Sequence, residues 1–261
     1  MVFTTHGLQA RQARALWLTL AGAAEDAVRW SRKALHRSSA GSVSGARRLA
    51  EVSGVLARLD ADLAARSRWL RSLFSIHDFE DLLRQDQPRW TFEAIDLVAD
   101  FLSERKDARV FEWGSGAGTV WLSRRAGQVV SITHDPEWFG AMARTVSARP
   151  NVRLRHVGAQ AVGYVHSRKR GFGRLCFDRY ARAIREEEGL FDLIVIDGRA
   201  REACLPEAAE RLAPGGIILL DDYRRGRYRI AVRQSGFKVQ CHKGLAIAQP
   251  LPNATAILSR V

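Results

Sequence analysis

Apolar residues recur at helical spacing through the first quarter of the chain and then in short runs typical of strands. Between Leu8 and Leu35, Leu16, Leu20, Ala23, Ala27 and Trp30 fall three and four residues apart, which predicts a helix with one apolar face. Ser38-Ser39-Ala40-Gly41-Ser42 breaks that pattern and reads as a linker or turn. A second helix is expected with Leu49, Val52, Leu56, Leu59 and Leu63 on one face, running towards Trp69, Leu70 and Leu73. Residues 1–75 are therefore expected to form a basic helical region and residues 76–261 a separate domain.

From Arg109 the period changes. Val110 and Phe111 form an apolar run that meets the turn Glu112-Trp113-Gly114-Ser115-Gly116-Ala117-Gly118. Val120, Trp121 and Leu122 return to helical spacing until Gly127, and Val129 to Ile132 form a second strand ending in Thr133-His134-Asp135. Pro136 to Ser147 reads as a helix with Trp138, Phe139 and Met142 inward, and Val152, Leu154 and Val157 alternate as a third strand. Leu193 to Ile196 and Ile217 to Leu220 are unbroken apolar runs, as suits central parallel strands covered on both faces. A helix from Ala203 to Leu212 joins them and stops at Ala213-Pro214-Gly215-Gly216. A helix (Arg229 to Gln234) and two runs, Phe237 to Cys241 and Ala254 to Leu258, close the chain as a hairpin of a seven-stranded sheet. The fold class is α/β.

Two stretches are less regular. Between Phe74 and Phe92, Pro88 ends a short helix, and Trp90-Thr91-Phe92 opens another, Glu93 to Ser103, with Ile95, Val98, Ala99 and Leu102 inward. An insertion over about residues 160–189 carries His166-Ser167-Arg168-Lys169-Arg170-Gly171 and reads either as an acceptor-binding lid or as a solvated loop.

Composition narrows the setting. The 261 residues suit one large domain, or a smaller one with a helical attachment. The formal charge of +13 is carried almost wholly by arginine; it either attracts nucleic acid, anionic membrane or an acidic substrate, or reflects an Ala- and Arg-rich coding bias. Three cysteines form no CxxC pair, so neither a zinc site nor a disulfide framework is suggested. With no apolar run near the ~18 residues that span a bilayer and no secretory pattern, a cytoplasmic protein is expected, at most peripheral to a membrane.

The candidate chemistry gathers where strands end. Glycines let the chain turn sharply and let backbone approach a ligand, and in open α/β sheets a nucleotide-like ligand sits at the carboxyl ends of the strands. Asp197, Asp221 and Asp222 reach the same rim. Asp197, Asp222 and His134 are candidate bases, and Arg199 a candidate ligand of an anionic acceptor. Each histidine equally reads as an ordinary surface or core side chain.

Three segments carry a family resemblance: FEWGSGAGTVWL, with its E-x-G-x-G-x-G turn, FDLIVIDGRAR, and LAPGGIILLDDY. Together they resemble class I S-adenosylmethionine-dependent methyltransferases over about residues 90–261, near the catechol O-methyltransferase-like group. The resemblance implies a Rossmann-like three-layer fold with a seven-stranded mixed sheet, its last strand antiparallel, and an N-terminal helical extension. It implies that Glu112, Gly114, Ser115, Gly116 and Gly118 cradle the methionine and ribose part of S-adenosyl-L-methionine. Gly158 and Ala159 would lie at the adenine. Trp90 and Thr91 are candidate lid residues over the cofactor, or Trp90 simply packs beneath the sheet.

The chain departs from the family pattern at two places. Thr133 stands where an acid usually binds both ribose hydroxyls, so either Asp135 takes that contact or cofactor affinity is reduced; Asp135 also reads as a helix cap before Pro136. Catechol-type enzymes hold Mg2+ through an acid after the fourth strand and an Asp-Asn pair after the fifth. Asp197 and Asp222 match the acids, but Tyr223 replaces the asparagine. Without metal, Asp197 would position the acceptor or the cofactor's ammonium, and Asp222 would be the base.

The leading expectation is a methyltransferase acting on a hydroxyl of a small molecule or sugar. The basic N-terminal helices would serve as a docking cover, a homo-oligomer contact or a membrane contact. A nucleic-acid (RNA) methyltransferase ranks second, for want of a base-flipping motif. A catalytically degenerate cofactor-fold interaction protein ranks third, and the glycine spacing argues against an NAD enzyme.

Overall fold

The computed structural model describes residues 40–169 and 171–261, with no side chains described for residues 40–44. The helix expected over Leu8 to Leu35 lies outside the described residues, as does Arg170. The described residues fall into two units, residues 40–61 and 62–261.

In the first unit, α1 (Ala40–Val52) and α2 (Val55–Ala61) are separated by Ser53-Gly54, where Gly54 adopts φ +71°. Ala40-Gly41-Ser42, expected in a linker, instead opens α1. Propagation from the regular turns that follow outweighs the weak propensity of Gly and Ser. The single apolar face expected from Leu49 to Leu63 does not form, and Leu49, Val52 and Leu63 are exposed.

The second unit begins earlier than the expected residue 76, because α3 (Ala65–Leu73) is tied into it. The Trp69 indole N–H donates to the Gln249 carbonyl at 2.8 Å, and the Ala248 N–H donates to Ser72 Oγ at 2.8 Å. Arg71 grips Asp81 with two bonds of 2.7 and 2.9 Å. Next come α4 (Phe79–Arg84) and α5 (Phe92–Ser103).

The sheet has seven strands in the order β3-β2-β1-β4-β5-β7-β6, namely β1 (Arg109–Trp113), β2 (Gln128–Thr133), β3 (Val152–His156), β4 (Phe191–Ile196), β5 (Leu212–Leu220), β6 (Lys238–Gly244) and β7 (Asn253–Ser259). β7 alone runs antiparallel to its neighbours, as expected. Along β1 and β4 successive side chains alternate between two cores: Phe111, Trp113, Ile194 and Ile196 face one layer, Val110, Leu193 and Val195 the other. The second layer holds Trp90 edge-on against Trp121, centroids 5.8 Å apart, with Ile95, Val98 and Leu102 of α5. Each tryptophan buries roughly 200 Å². At about 25 cal/mol per Å² that is about 5 kcal/mol gross.

The segment from residue 160 to 189 is only half an insertion. Its second half is core: α8 (Asp178–Arg182) and a 3₁₀ turn (Ala183–Glu186) bury Phe177, Tyr180, Ala181 and Ile184 against the sheet. Those residues recur at i, i+3, i+4 and i+7, a helical signal that the neighbouring charges hid. The first half folds back through bridges from Cys176 to Gln160 and His166. The remaining helices are α6 (Ala117–Ser123), α7 (Pro136–Val146), α9 (Arg201–Arg211) and α10 (Gly226–Gln234).

Candidate active site

The turns after β1 and β4 meet backbone to backbone. Gly114 holds φ +105°, and a Cβ there would stand 2.7 Å from the Gly198 nitrogen. The Gly114 and Ser115 N–H groups both donate to the Ile132 carbonyl, at 2.9 and 3.2 Å, which folds the turn across the end of β2. Trp138 of α7 steadies it by donating its indole N–H to the Ser115 carbonyl at 2.8 Å. A Cβ on Gly116 would meet nothing within 4 Å, and the buried Ser115 hydroxyl makes no hydrogen bond among the described residues. The turn thus leaves open space at Gly116 and a buried Ser115 hydroxyl without a hydrogen-bond partner among the described residues.

Glu112, at the end of β1, is buried behind this turn. Thr119 and Ser131 donate their hydroxyls to its Oε2 at 2.5 and 2.6 Å. Burial pushes its carboxyl up to about 8, against those two hydrogen bonds, with the Asp197 charge adding to the rise. Gly118 leaves room for it, since a Cβ there would lie 2.8 Å from Glu112 Oε1.

Trp90 is buried, 1% exposed, and lies 3.6 Å from where a Gly118 Cβ would be. Thr91 is equally buried, donating its N–H to Thr255 Oγ1 at 3.2 Å. Thr133 is buried at the end of β2 and accepts from the Asp135 N–H at 3.3 Å. Asp135 is exposed and caps α7, one carboxylate oxygen accepting from the Trp138 N–H at 3.0 Å. Gly158 and Ala159 follow the Val157 N–H bond to the Thr133 carbonyl, so they border the same end of β2.

The acids cluster around Arg201, a residue the sequence did not single out. Its Nη2 donates to Asp197 Oδ1 at 2.8 Å and lies 3.6 Å from Asp222 Oδ2; its Nη1 lies 3.7 Å from Asp221 Oδ2. Asp221 is in register with Asp197, since their preceding residues Leu220 and Ile196 pair across β5 and β4. Burial raises the Asp197 carboxyl, with Asp222 adding to the rise and Arg201 and Arg89 opposing it. Asp221 is raised well above the usual range by burial and by Asp197. Asp222 sits at φ +58°, accepting from Arg225 at 2.7 Å and from Asn253 Nδ2 at 3.2 Å. A Mg2+ bridging Asp197 and Asp222 does not fit this arrangement, because a guanidinium already lies between them. Among the described residues no cluster of His, Cys, Asp and Glu is disposed to hold a metal.

His134 lies apart from the acids. Its ring stands 5.4 Å from Phe172, 5.8 Å from Phe177 and 6.1 Å from Tyr180. Burial, together with the charges of Arg199 and Lys169, lowers it to about 4, against the pull of Asp135. Arg199 lies 5.6 Å from the centre of the Phe172 ring, and its half-buried charge is disfavoured by burial and by Arg201. The structure therefore brings Trp90, Glu112, the glycine turn, Asp197 and Asp222 together. It places Thr133, His134, Asp135, Gly158, Ala159 and Arg199 around the end of β2 beside them.

Residues 111–223 match the family model of a methyltransferase domain. No curated protein matches the chain. Among solved structures, a methyltransferase-like protein from Silicibacter pomeroyi is 20% identical over 67% of this chain and 91% of its own, with a TM-score of 0.47. A Streptococcus mutans methyltransferase solved with SAH is 18% identical, over 63% and 96%, TM-score 0.44. An rRNA methylase from Streptococcus thermophilus is 14% identical, over 64% and 96%, TM-score 0.45.

Proposed function

We propose that this chain, an S-adenosylmethionine-dependent methyltransferase by its domain, transfers the methyl group to a hydroxyl of a small-molecule or sugar acceptor. The observation that carries the reading is the carboxylate pair beside the glycine turn: Asp197 and Asp222 side chains are 25% and 24% exposed on the rim of β4 and β5. When bound, the cofactor supplies a sulfonium-activated methyl. The protein's task is then to align an oxygen with that methyl and to accept its proton.

The residues fit the cofactor. Glu112, Gly114, Ser115, Gly116 and Gly118 would hold its methionine and ribose part, the open space at Gly116 and the unused Ser115 hydroxyl being what such a ligand needs. Thr133 already accepts from the Asp135 N–H and is buried, so the ribose hydroxyls fall to Asp135, whose second oxygen is not needed for the cap. Gly158 and Ala159 would border the adenine. Asp197 is the base: burial raises its carboxyl above the ordinary range, against the opposing charge of Arg201, which makes it a better proton acceptor. The aromatic surroundings of Phe172 and Phe177 beside the rim suit a compact acceptor. The three unpaired cysteines suit a cytoplasmic setting. No described helix is long and apolar enough to cross a membrane.

A charge of +13 supports RNA as the second reading. A labelled-methyl assay over small hydroxyl compounds, sugars, amines and RNA separates the two. An O-methyl ether is expected, with Asp197→Asn lowering kcat about 10²-fold or more. Label found only on RNA would replace the proposal.

A further inference from the structure

We infer that the Arg201 guanidinium occupies the place a divalent cation takes in a chelating rim, so that this chain works without a metal and does not select its acceptor by chelation. The bearing on methyl transfer rests on the reading above; the placement of Arg201 does not.

Arg201 is surrounded by oxygen. Its Nε donates to the Gly198 carbonyl at 3.1 Å, and its Nη2 to the Asp197 carbonyl at 3.0 Å and Asp197 Oδ1 at 2.8 Å. Asp221 Oδ2 and Asp222 Oδ2 stand at 3.7 and 3.6 Å. Three carboxyl groups and two backbone carbonyls thus line the three nitrogens of the guanidinium, oxygen being the ligand type that hard divalent cations take. The Arg201 side chain is 9% exposed, and its Nη1 is buried and makes no hydrogen bond among the described residues.

The electrostatics agree. Burial opposes the Arg201 charge, yet Asp197, Asp221 and Asp222 together hold it more firmly protonated than usual. Burial raises the Asp197 and Asp221 carboxyls, which lowers the negative charge the cluster carries, and further cations stand around it: Arg225 at 2.7 Å from Asp222 and Arg89 near Asp197, while Tyr228 flanks the guanidinium at 5.8 Å. With these cations in place, a divalent ion gains little from entering and would have to expel Arg201. Removing Arg201 alone leaves an oxygen-lined acidic site with its centre vacated.

The test is Mn2+ binding followed by electron paramagnetic resonance, on wild type, Arg201→Met and Arg201→Lys, with S-adenosylhomocysteine binding measured in parallel. Wild type and Arg201→Lys are expected to leave Mn2+ free. Arg201→Met should bind it at least about tenfold more tightly than wild type, because its acids lose their internal counter-charge. That gain should vanish when Asp222→Asn is added. Mn2+ bound by wild type as tightly as by Arg201→Met would overturn the inference, as would a folded Arg201→Met that binds none. Should Arg201→Met fail to fold, Mn2+ binding by wild type decides alone. Loss of S-adenosylhomocysteine binding by wild type would count against the methyltransferase reading and leave the Mn2+ result standing.

Discussion

Gly114 and Gly198 touch so closely that a single methyl group on Gly114 would stand 2.7 Å from the Gly198 nitrogen and 2.8 Å from the Asp197 carbonyl carbon. That contact joins the turn after β1, proposed to hold the cofactor, to the turn after β4, proposed to carry the base. Gly114 also holds φ +105°, a conformation closed to most L-residues. Gly114→Ala therefore carries both strain and overlap, at a cost of about 2 kcal/mol or more. A fall in Tm, with S-adenosylhomocysteine binding weakened beyond what the lost stability explains, is the expected outcome. Unchanged binding would mean that the two turns are not part of one site.

If the proposed cofactor site is correct, cofactor binding is a protonation event at Glu112. Its carboxyl, raised to about 8, is largely protonated at pH 7, and a cofactor ammonium nearby would favour the ionised form. Binding should release up to about one proton, read as a dependence of the calorimetric heat on buffer ionisation enthalpy. Glu112→Gln should abolish that dependence. Stability has the matching sign. Because the folded value lies above the ordinary 4.5, the Glu112 contribution declines as pH rises from about 4.5 to about 8, and Glu112→Gln should flatten Tm over that window. A wild-type heat independent of buffer would contradict the buried acid form.

His134 should be a neutral imidazole at pH 7. With its value lowered to about 4, stability is lost as pH falls from about 6.5, where the unfolded ring protonates, towards 4. An NMR titration of the ring should show a midpoint near 4, rising in Arg199→Gln as one repelling charge is removed. A midpoint at 6.5 would place the ring in solvent, away from Phe172 and Phe177.

Asp135 caps α7 and is the proposed ribose ligand, and one pair of substitutions separates the two. Asp135→Ala removes both the helix cap and a ribose ligand, whereas Asp135→Ser keeps a hydroxyl able to cap α7. Asp135→Ala should cost about 1 kcal/mol of stability and Asp135→Ser much less. Both should weaken S-adenosylhomocysteine about tenfold, the loss of a charge-assisted bond to the ribose. Full affinity in Asp135→Ser would leave Asp135 as a cap only.

The sheet was legible because its strands announce themselves. Leu193 to Ile196 and Ile217 to Leu220 are unbroken apolar runs, and the buried central strands are where they were expected. The glycine turn was legible for a related reason: few residues tolerate the geometry at Gly114. What escaped were features set by three-dimensional charge. Arg201 follows Asp197 by four residues in a sequence dense with arginine, and nothing local distinguishes it from Arg199. Asp222 stands out over Asp221 only through the catechol-type pattern it matches, whereas the register of β4 against β5 sets Asp221 beside Asp197. The burial of Phe177, Tyr180 and Ile184 was masked by Arg179, Arg182 and Arg185 between them, all of which point a charged end outward from an apolar helix face. The buried position of Trp90 depends on Trp121 and Gly118, contacts that no spacing in the sequence encodes.

The most direct measurement is calorimetric titration of the purified protein with S-adenosylhomocysteine, once with magnesium and once with a chelator. Micromolar binding, equal in the two conditions and weakened by Gly114→Ala, is the result that a metal-free cofactor site around Glu112 and the glycine turn predicts. No binding at millimolar ligand, or binding that appears only with magnesium, would contradict it.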